Sequence, residues 1–294
     1  MFKIKRPLSK HYPVLAEPIR LSKITVKNVV YISPKYSLRK QKVSQENIFR
    51  LKTHKSLLRR RLGDSDPVLQ EQKIKNLQIA ADFFNDTIIK PGQILSFWKI
   101  LGEPTYERGF VDGMILDNGQ IRVGVGGGLC QIANLLYWLF LHSPLEVKEH
   151  HHHAMDIFPD SGRVLPFGSG AGVMYNYGDL QFENNTNFTF LLQTWVDETN
   201  LYGQISTLNQ DFDLTYKIIE RDHLFYENSG QIFRKNKIFR LTRQKLGGKL
   251  IEESLITENN SPVLYDITKE KMQEWNEFYH QKQLKSDLIA EQKN

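Results

Sequence analysis

Cysteine is nearly absent from this sequence: among 294 residues there is one, Cys130. A single cysteine excludes an intramolecular disulfide, so a packed core must hold the fold together. The composition provides for such a core, because hydrophobic residues make up 40% of the chain and charged residues 24%. It excludes a wholly disordered chain and a small disulfide-stapled domain.

Long apolar runs are also missing. The longest apolar-rich stretch, Ile132 to Leu141, has 10 residues and contains Asn134, whereas a membrane-spanning helix needs about 20. Residues 1–20 are basic but lack the continuous apolar segment of a secretory signal. We therefore expect a soluble protein, cytoplasmic or membrane-peripheral, in which this stretch is a buried helix.

Acidic residues are scarce at the front of the chain. Residues 1–62 hold 17 Lys and Arg but only Glu17 and Glu46, whereas the rest of the chain has 22 basic and 31 acidic residues. So basic a segment is either a solvated face or a surface for an anionic membrane or polymer. No RNP, helix-turn-helix or zinc-finger pattern accompanies it, so we expect no nucleic-acid partner.

Two helices are predicted by their start signals and apolar spacing. Asp66 and Pro67 form an N-cap and first-turn pair, and the helical pattern continues towards Lys90. A second helix is expected from about Cys130 to about His142. An Asn118-Gly119 turn predicts a β-hairpin between them.

The basic front and the C-terminal half are expected to differ. In the front, the β-prone run Ile24 to Ile32 predicts a strand, and Ser44 to Leu62 predicts a helix. From about Val164 the pattern alternates in period two over several segments, which indicates strands. The polar tail, Ile267 to Asn294, predicts a terminal helix.

These patterns predict an α+β fold: a Cys-bearing buried helix packed on a mainly antiparallel sheet, with a β-rich C-terminal part. We divide the chain into a basic lead-in over 1–62, a core domain over 63–186, a β-rich part over 187–265 and a helical, solvated tail over 266–294.

The surroundings of Cys130 suggest chemistry. Gly126, Gly127 and Gly128 precede it, and a thiol at a helix N-terminus meets the positive end of the helix dipole, which favours the nucleophilic thiolate. Backbone N–H groups there are candidates for an oxyanion hole, and the histidine run from His150 supplies candidate bases. The alternative is a small buried cysteine beside a polar surface loop.

The histidine run also raises the question of metal. His151 and His153 are spaced to share one zinc ion on a strand, but a closed structural zinc site needs four ligands and only one cysteine exists. No Walker A, HExxH or GxSxG pattern is present. We therefore expect no metal and no cofactor.

Four segments together resemble one family. Gly126 to Gln131 reads GGGLCQ and matches a GGG-[IL]-CQ signature, and Glu149 to His153 resembles an "ERHxH" element. Ile89 to Phe97 resembles a "PGe.FSf" element, and Gly178 to Thr186 a "DLkFkNnT" strand. The chain is thereby identified as resembling the VanW family, named for an accessory protein of vancomycin-resistance clusters, over about 77–186.

The resemblance implies a role at the cell envelope with peptidoglycan or its precursors as partner. Some larger family members have been assigned L,D-transpeptidase activity through the cysteine of this signature, which implies thiol-dependent acyl transfer here. The implied catalytic residues are Cys130 as nucleophile, His151 or His153 as base, and Glu149 as the residue that orients a histidine. The candidate substrate-binding residues are Ser96, Gly126, Gly127, Gly128 and Gln131.

Three positions depart from the family pattern. His150 stands where the family prefers Arg, and Gly170 and Gly172 stand where it often has Asp and Thr. If that Asp orients the catalytic histidine, this chain lacks it. The alternative function is therefore a non-catalytic accessory module that binds a cell-wall precursor or a protein partner.

Overall fold

A computed structural model describes residues 16–59, 67–117, 120–152, 155–157, 159, 165–175 and 177–291 of the chain. These residues form five α-helices and thirteen β-strands. The helices are α1 (Ala16–Val30), α2 (Pro67–Phe84), α3 (Phe97–Leu101), α4 (Cys130–Leu141) and α5 (Lys269–Glu291). The strands are β1 (Arg39–Lys40), β2 (Ile48–Leu57), β3 (Thr87–Ile89), β4 (Ile94–Ser96), β5 (Asp112–Asp117), β6 (Gln120–Val125), β7 (Glu146–Glu149), β8 (Gln181–Glu183), β9 (Phe190–Val196), β10 (Asn200–Leu208), β11 (Leu214–Asn228), β12 (Gln231–Gln244) and β13 (Leu250–Pro262).

The central sheet carries the cysteine-bearing helix. Its strands run antiparallel in the order β1-β3-β9-β10-β2, and α4 packs on β10 and β2. Gly203 in β10 permits this close packing, because a Cβ there would lie 2.7 Å from Leu139 Cδ1. The predicted α+β fold, with a buried Cys-bearing helix on an antiparallel sheet, is confirmed.

A smaller sheet lines up three polar residues. Strands β4, β8 and β7 pair antiparallel in that order. In this register Gln181 is opposite Ser96 on one side and Glu149 on the other. The sheet therefore sets three polar side chains in one row across its strands.

The C-terminal part is a second, separate sheet. Strands β11, β12 and β13 form an antiparallel meander, and α5 packs on β11. Phe225, Val263 and Tyr279 form its own buried apolar cluster. None of the helices in the described part of the chain is both long and apolar enough to cross a membrane.

Two predictions for the basic front are wrong. Ile24 to Ile32 was expected as a strand but lies mostly in α1, because the long-range bonds of Lys27 to Glu149 and of Tyr31 to Asp179 override the β propensity of its valines and isoleucines. Ser44 to Leu62 was expected as a helix, but Ile48–Leu57 is a strand that pairs with β10.

Other expectations from the sequence are met. The helix after Pro67, the hairpin of β5 and β6, the helix from Cys130 and the terminal helix all form. The predicted N-cap Asp66 and the turn at 118–119 lie outside the described residues. The division of the chain into four regions stays a prediction.

Candidate functional site

The glycine loop before α4 is packed into the protein. A Cβ on Gly127 would lie 2.0 Å from the backbone carbon of Gly113, and one on Gly128 would lie 2.1 Å from Lys73 Cγ. The Gly126 and Gly128 N–H groups donate to backbone carbonyls of 111 and 114 at 3.0 Å each. The close approach to β5 and α2 therefore explains these glycines, and their predicted role in substrate binding stays a prediction.

Asn76 on α2 holds this glycine loop through hydrogen bonds to the backbone. The sequence alone did not indicate a role for it. Its side chain is fully buried. Its Nδ2 donates to the carbonyls of Val111 and Gly127 at 2.9 Å, and its Oδ1 accepts from the Val111 N–H at 2.9 Å. One amide thus satisfies three backbone groups, two of Val111 before β5 and one of Gly127 before the helix that bears Cys130.

The Cys130 thiol lies at the first residue of α4 in a desolvated position. Burial raises its pKa, while hydrogen bonding from the backbone N–H of Val173 and of Cys130 itself lowers it; burial has the larger effect. This balance is opposite to the one expected from the helix N-terminus alone. The thiol form is therefore favoured at neutral pH.

Gln131 follows the cysteine and ties α4 to the central sheet. Its Nε2 donates to Ser56 Oγ at 3.0 Å and to the Leu57 carbonyl at 2.8 Å. These bonds give Gln131 a structural role, and its predicted contact with substrate stays a prediction.

The segment 168–173 lies between α4 and the histidine run. The Ala171 N–H donates to Asn134 Oδ1 at 2.6 Å. The Gly172 N–H donates to the His151 carbonyl at 2.6 Å, and the N–H of the next residue, Val173, lowers the pKa of Cys130. Two consecutive backbone groups therefore tie the cysteine-bearing helix and the histidine run to one segment.

The four histidines have different surroundings. His150 stacks on Tyr137, with ring centroids 4.0 Å apart, and its Nε2 lies 2.8 Å from the Gly170 carbonyl oxygen. His151 is half exposed and its Nε2 lies 2.9 Å from Glu149 Oε1. His152 is exposed, and His153 lies outside the described residues. Within the described residues, no histidine ring makes a hydrogen bond to the Cys130 sulfur.

Glu149 contacts His151, and its predicted role in orienting a catalytic histidine stays a prediction. Its Oε1 also accepts from Lys27 Nζ at 2.7 Å and from the Asp179 N–H at 3.0 Å. Burial pulls the pKa of Glu149 upwards, but the bonds from Lys27, His151 and the Asp179 backbone outweigh it and hold the pKa below its usual value. Glu149 is therefore ionised at neutral pH and favours the His151 tautomer that carries its proton on Nε2.

Asp179 is the centre of a buried hydrogen-bond cluster that includes Ser96. Its carboxylate accepts from Tyr31 Oη at 2.7 Å, Ser96 Oγ at 2.6 Å and Gln181 Nε2 at 2.8 Å. Asp179 is fully buried, and Gln181 Nε2 also reaches Glu149 Oε2 at 3.3 Å. These five residues, Tyr31, Ser96, Glu149, Asp179 and Gln181, are here named the Asp179 cluster. The structure joins predicted residues Ser96 and Glu149 through Asp179, to which the sequence analysis gave no role.

Metal ligands are not gathered in the described part of the chain. There, no group of three or more His, Cys, Asp or Glu side chains is placed to hold a metal ion.

The fold and the site define a class: α+β proteins in which a cysteine-bearing helix and a Glu–His pair are held by one short segment. The family described as "VanW like protein" matches residues 72–206. The vancomycin B-type resistance protein VanW of Enterococcus faecalis is 31% identical over 202 residues, which are 69% of this chain and 73% of that protein. This chain belongs to the VanW family.

A second relative is more distant. The uncharacterized protein YoaR of Bacillus subtilis is 25% identical over 118 residues, which are 40% of this chain but only 37% of that protein. No solved structure matches the chain. The matched family region contains Cys130, Glu149, His151 and Asp179, whereas the C-terminal sheet lies beyond it.

Proposed function

We propose that this protein acts in glycopeptide resistance or in the related metabolism of peptidoglycan. The support is its membership of the VanW family together with the name of its Enterococcus faecalis relative, a vancomycin B-type resistance protein. The substrate class in this proposal is the stem peptide of peptidoglycan or of a precursor.

At the chemical level we propose thiol-dependent acyl transfer at Cys130. The observation that carries this proposal is the segment 171–173, whose Ala171 N–H bonds Asn134 on the cysteine-bearing helix and whose Gly172 N–H bonds the His151 carbonyl; the Val173 N–H, next in the chain, lowers the pKa of Cys130. These contacts bring a nucleophile and a candidate base to one short segment. The Glu149 contact supports the role of His151, because it leaves Nδ1 as the proton acceptor of the ring.

The proposed reaction balances without a cofactor. The base removes the thiol proton as the sulfur attacks the carbonyl carbon of a stem-peptide amide. The C–N bond breaks, the amine leaves with that proton, and a thioester remains on Cys130. Water or an acceptor amine then attacks the thioester, its proton passes through the histidine to the departing sulfur, and the thiol is restored. His153 is the alternative base.

A second candidate function is a non-catalytic module that binds a cell-wall precursor or a protein partner. Two observations favour it: burial raises the pKa of Cys130, and the N–H groups of Gly126 and Gly128 already donate within the fold. The thiol is then not activated for nucleophilic attack, and these two N–H groups are not free to bind an oxyanion.

Intact-protein mass spectrometry after incubation with stem peptides separates the two. Acyl transfer predicts a mass gain that hydroxylamine removes and that is absent from Cys130→Ser. His151→Ala should slow formation of the adduct by about 100-fold or more, whereas its exposed neighbour, varied as His152→Ala, is the matched control. A His153→Ala variant tests the other base.

The opposite outcome is equally specific. If wild type gives no adduct while Cys130→Ser and His151→Ala bind stem peptides as tightly as wild type, acyl transfer is wrong and the binding module is correct. Circular dichroism of each variant checks that it is folded.

A further inference from the structure

The outer face of α1 is apolar and exposed to solvent. Leu21, Val26, Val29 and Val30 are 50%, 62%, 63% and 45% exposed, and Ile32 just beyond the helix is 78% exposed. At about 100° per residue, the four helical positions fall on one half of the helix circumference. The same half holds the exposed Ser22 and Thr25, whose hydroxyls donate to the helix's own carbonyls at Ile19 and Leu21. A helix face that points into water normally carries polar residues, so an exposed face with these apolar residues is suited to contact another apolar surface.

The opposite face of α1 is the one that holds the helix to the protein. Lys27 bonds Glu149, and Tyr31, directly after the helix, bonds Asp179. The apolar face therefore points away from the body of the protein.

A neighbouring turn extends the apolar surface. Met174 and Tyr177 are 50% and 42% exposed, and Lys23 Nζ lies 4.6 Å from the centre of the Tyr177 ring. The helix face and this turn together are here named the α1 surface. Tyr177 is of the residue type that lies at the level of lipid headgroups.

The sequence of α1 and of the segment that follows it is mainly basic. Between Glu17 and Glu46 the sequence contains seven Lys and Arg and no Asp or Glu. After Glu17 in its first turn, α1 carries only basic charged residues, Arg20, Lys23 and Lys27. A largely apolar face on such a helix is complementary to a bilayer whose headgroups are anionic.

We propose that α1 binds in the plane of an anionic lipid bilayer. Leu21, Val26, Val29, Val30 and Ile32 enter the boundary between headgroups and acyl chains, and the basic side chains meet lipid phosphates. A helix with its side chains is about 10–12 Å across. Because Lys27 contacts Glu149 on the inner side, bilayer binding holds the Glu149–His151 pair about one helix diameter from the membrane surface. This inference does not depend on thiol chemistry.

Vesicle flotation with the full chain tests the proposal. The probes are vesicles of phosphatidylcholine alone and vesicles that also contain phosphatidylglycerol. Wild type should float with the anionic vesicles, float less with neutral ones, and lose binding as salt increases. The double variant Val26→Asp, Val29→Asp should bind anionic vesicles at least about 10-fold more weakly, since it removes apolar contact and adds negative charge.

Two further variants control for charge and folding. Leu246→Asp with Leu284→Asp changes two exposed leucines, 92% and 50% exposed, on the C-terminal sheet and helix, and should bind like wild type. Val26→Ser with Val29→Ser removes the apolar contact without adding charge and should also weaken binding.

Three results would overturn the proposal. In the first, wild type stays in solution with anionic vesicles. In the second, the serine variant binds as tightly as wild type, so that apolar insertion is absent. In the third, wild type instead self-associates in gel filtration and the aspartate variant does not, so that the α1 surface is covered by a second copy of the chain.

Discussion

Two buried polar clusters of this protein differ in the groups that surround their charged side chains and in their access to solvent. The Asp179 cluster lies in the family-matching core, and its fully buried carboxylate is surrounded by neutral donors. The Arg234 cluster lies in the C-terminal part and is defined by Asp156, His223, Arg234, Tyr265 and Tyr279. Its guanidinium contacts Asp156 at 3.1 Å, His223 at 2.8 Å and Tyr279 at 3.1 Å.

The first of these clusters reaches an exposed side chain. Through Glu149, 24% exposed, it reaches His151, 51% exposed. In the Arg234 cluster, Arg234 is fully buried and lies between the rings of Phe167 and Phe225, 4.4 and 4.8 Å from their centres. The fully buried Arg234–Asp156 ion pair serves to hold segments together, although His223 and Tyr279 beside it line a cavity. The Asp179 cluster instead ends at an exposed imidazole, which is accessible to a ligand.

The Arg234 cluster has a clear structural task. Asp156 follows the histidine run and forms a parallel bridge with Val263 beside β13. Its carboxylate binds Arg234 from β12 and accepts from the Tyr265 hydroxyl at 3.0 Å. The cluster therefore attaches the end of the histidine run to the C-terminal sheet.

The largest expected effect on stability is at Arg234. Arg234→Met removes the cation that faces the buried Asp156 carboxyl group, and should lower the free energy of unfolding by about 3–5 kcal/mol. Arg221→Met, which removes a partly exposed pair with Glu253, should cost about 1 kcal/mol or less. Urea denaturation measures both, and equal losses would contradict the contrast. Adding Asp156→Leu to Arg234→Met should recover part of the loss.

Asp179→Asn should have the next largest effect. The amide keeps one acceptor oxygen but turns an NH₂ group towards donors, so about 2–3 kcal/mol of unfolding free energy should be lost. Tyr31→Phe removes a single bond to Asp179 and should cost only about 1 kcal/mol. Denaturant titration of the two variants compares them, and a loss for Asp179→Asn no greater than that for Tyr31→Phe would show that the carboxylate is not the centre of the cluster.

A smaller, pH-dependent effect is expected at the exposed end of the Asp179 cluster. The pKa of Glu149 is held below its usual value, so the ionised form stabilises the fold above the pKa of the unfolded chain, and this stability is lost as pH falls through the lower folded pKa. Glu149→Gln should therefore cost about 1 kcal/mol at pH 7 and less in acid. Thermal unfolding at both pH values tests this; a constant difference would exclude the ionisation as its source.

The sequence predicted one half of the candidate site better than the other. The cysteine at a helix start and the Glu149–His151 pair follow from local motifs, and the structure has both the helix start and the pair. Asp179 lies within a recognised motif, but only the structure shows what it contacts. Lys27 and Tyr31 reach partners 122 and 148 positions away, from a segment whose β-branched residues predicted a strand. Contacts at such separation leave no local pattern.

The pKa of Cys130 is a second property that long-range contacts decide and that a local sequence pattern does not predict. A helix N-terminus is a local feature and predicts a lowered pKa, whereas desolvation depends on every element packed around the sulfur and raises it. The direction of the shift therefore could not be read from the sequence.

The smallest expected effect, and the one that sharpens the comparison most, is on Cys130 reactivity. Because burial raises its pKa, folding favours the protonated thiol; the associated stability is complete below the pKa of the unfolded thiol and decreases as pH rises through the folded pKa. Alkylation by iodoacetamide should thus reach its half-maximal rate at higher pH in folded protein than in urea. Cys130 is the single cysteine, so no other thiol contributes. A midpoint lower in the folded protein would instead mean that the site stabilises the thiolate, and would place Cys130, like His151, on the open side of the core.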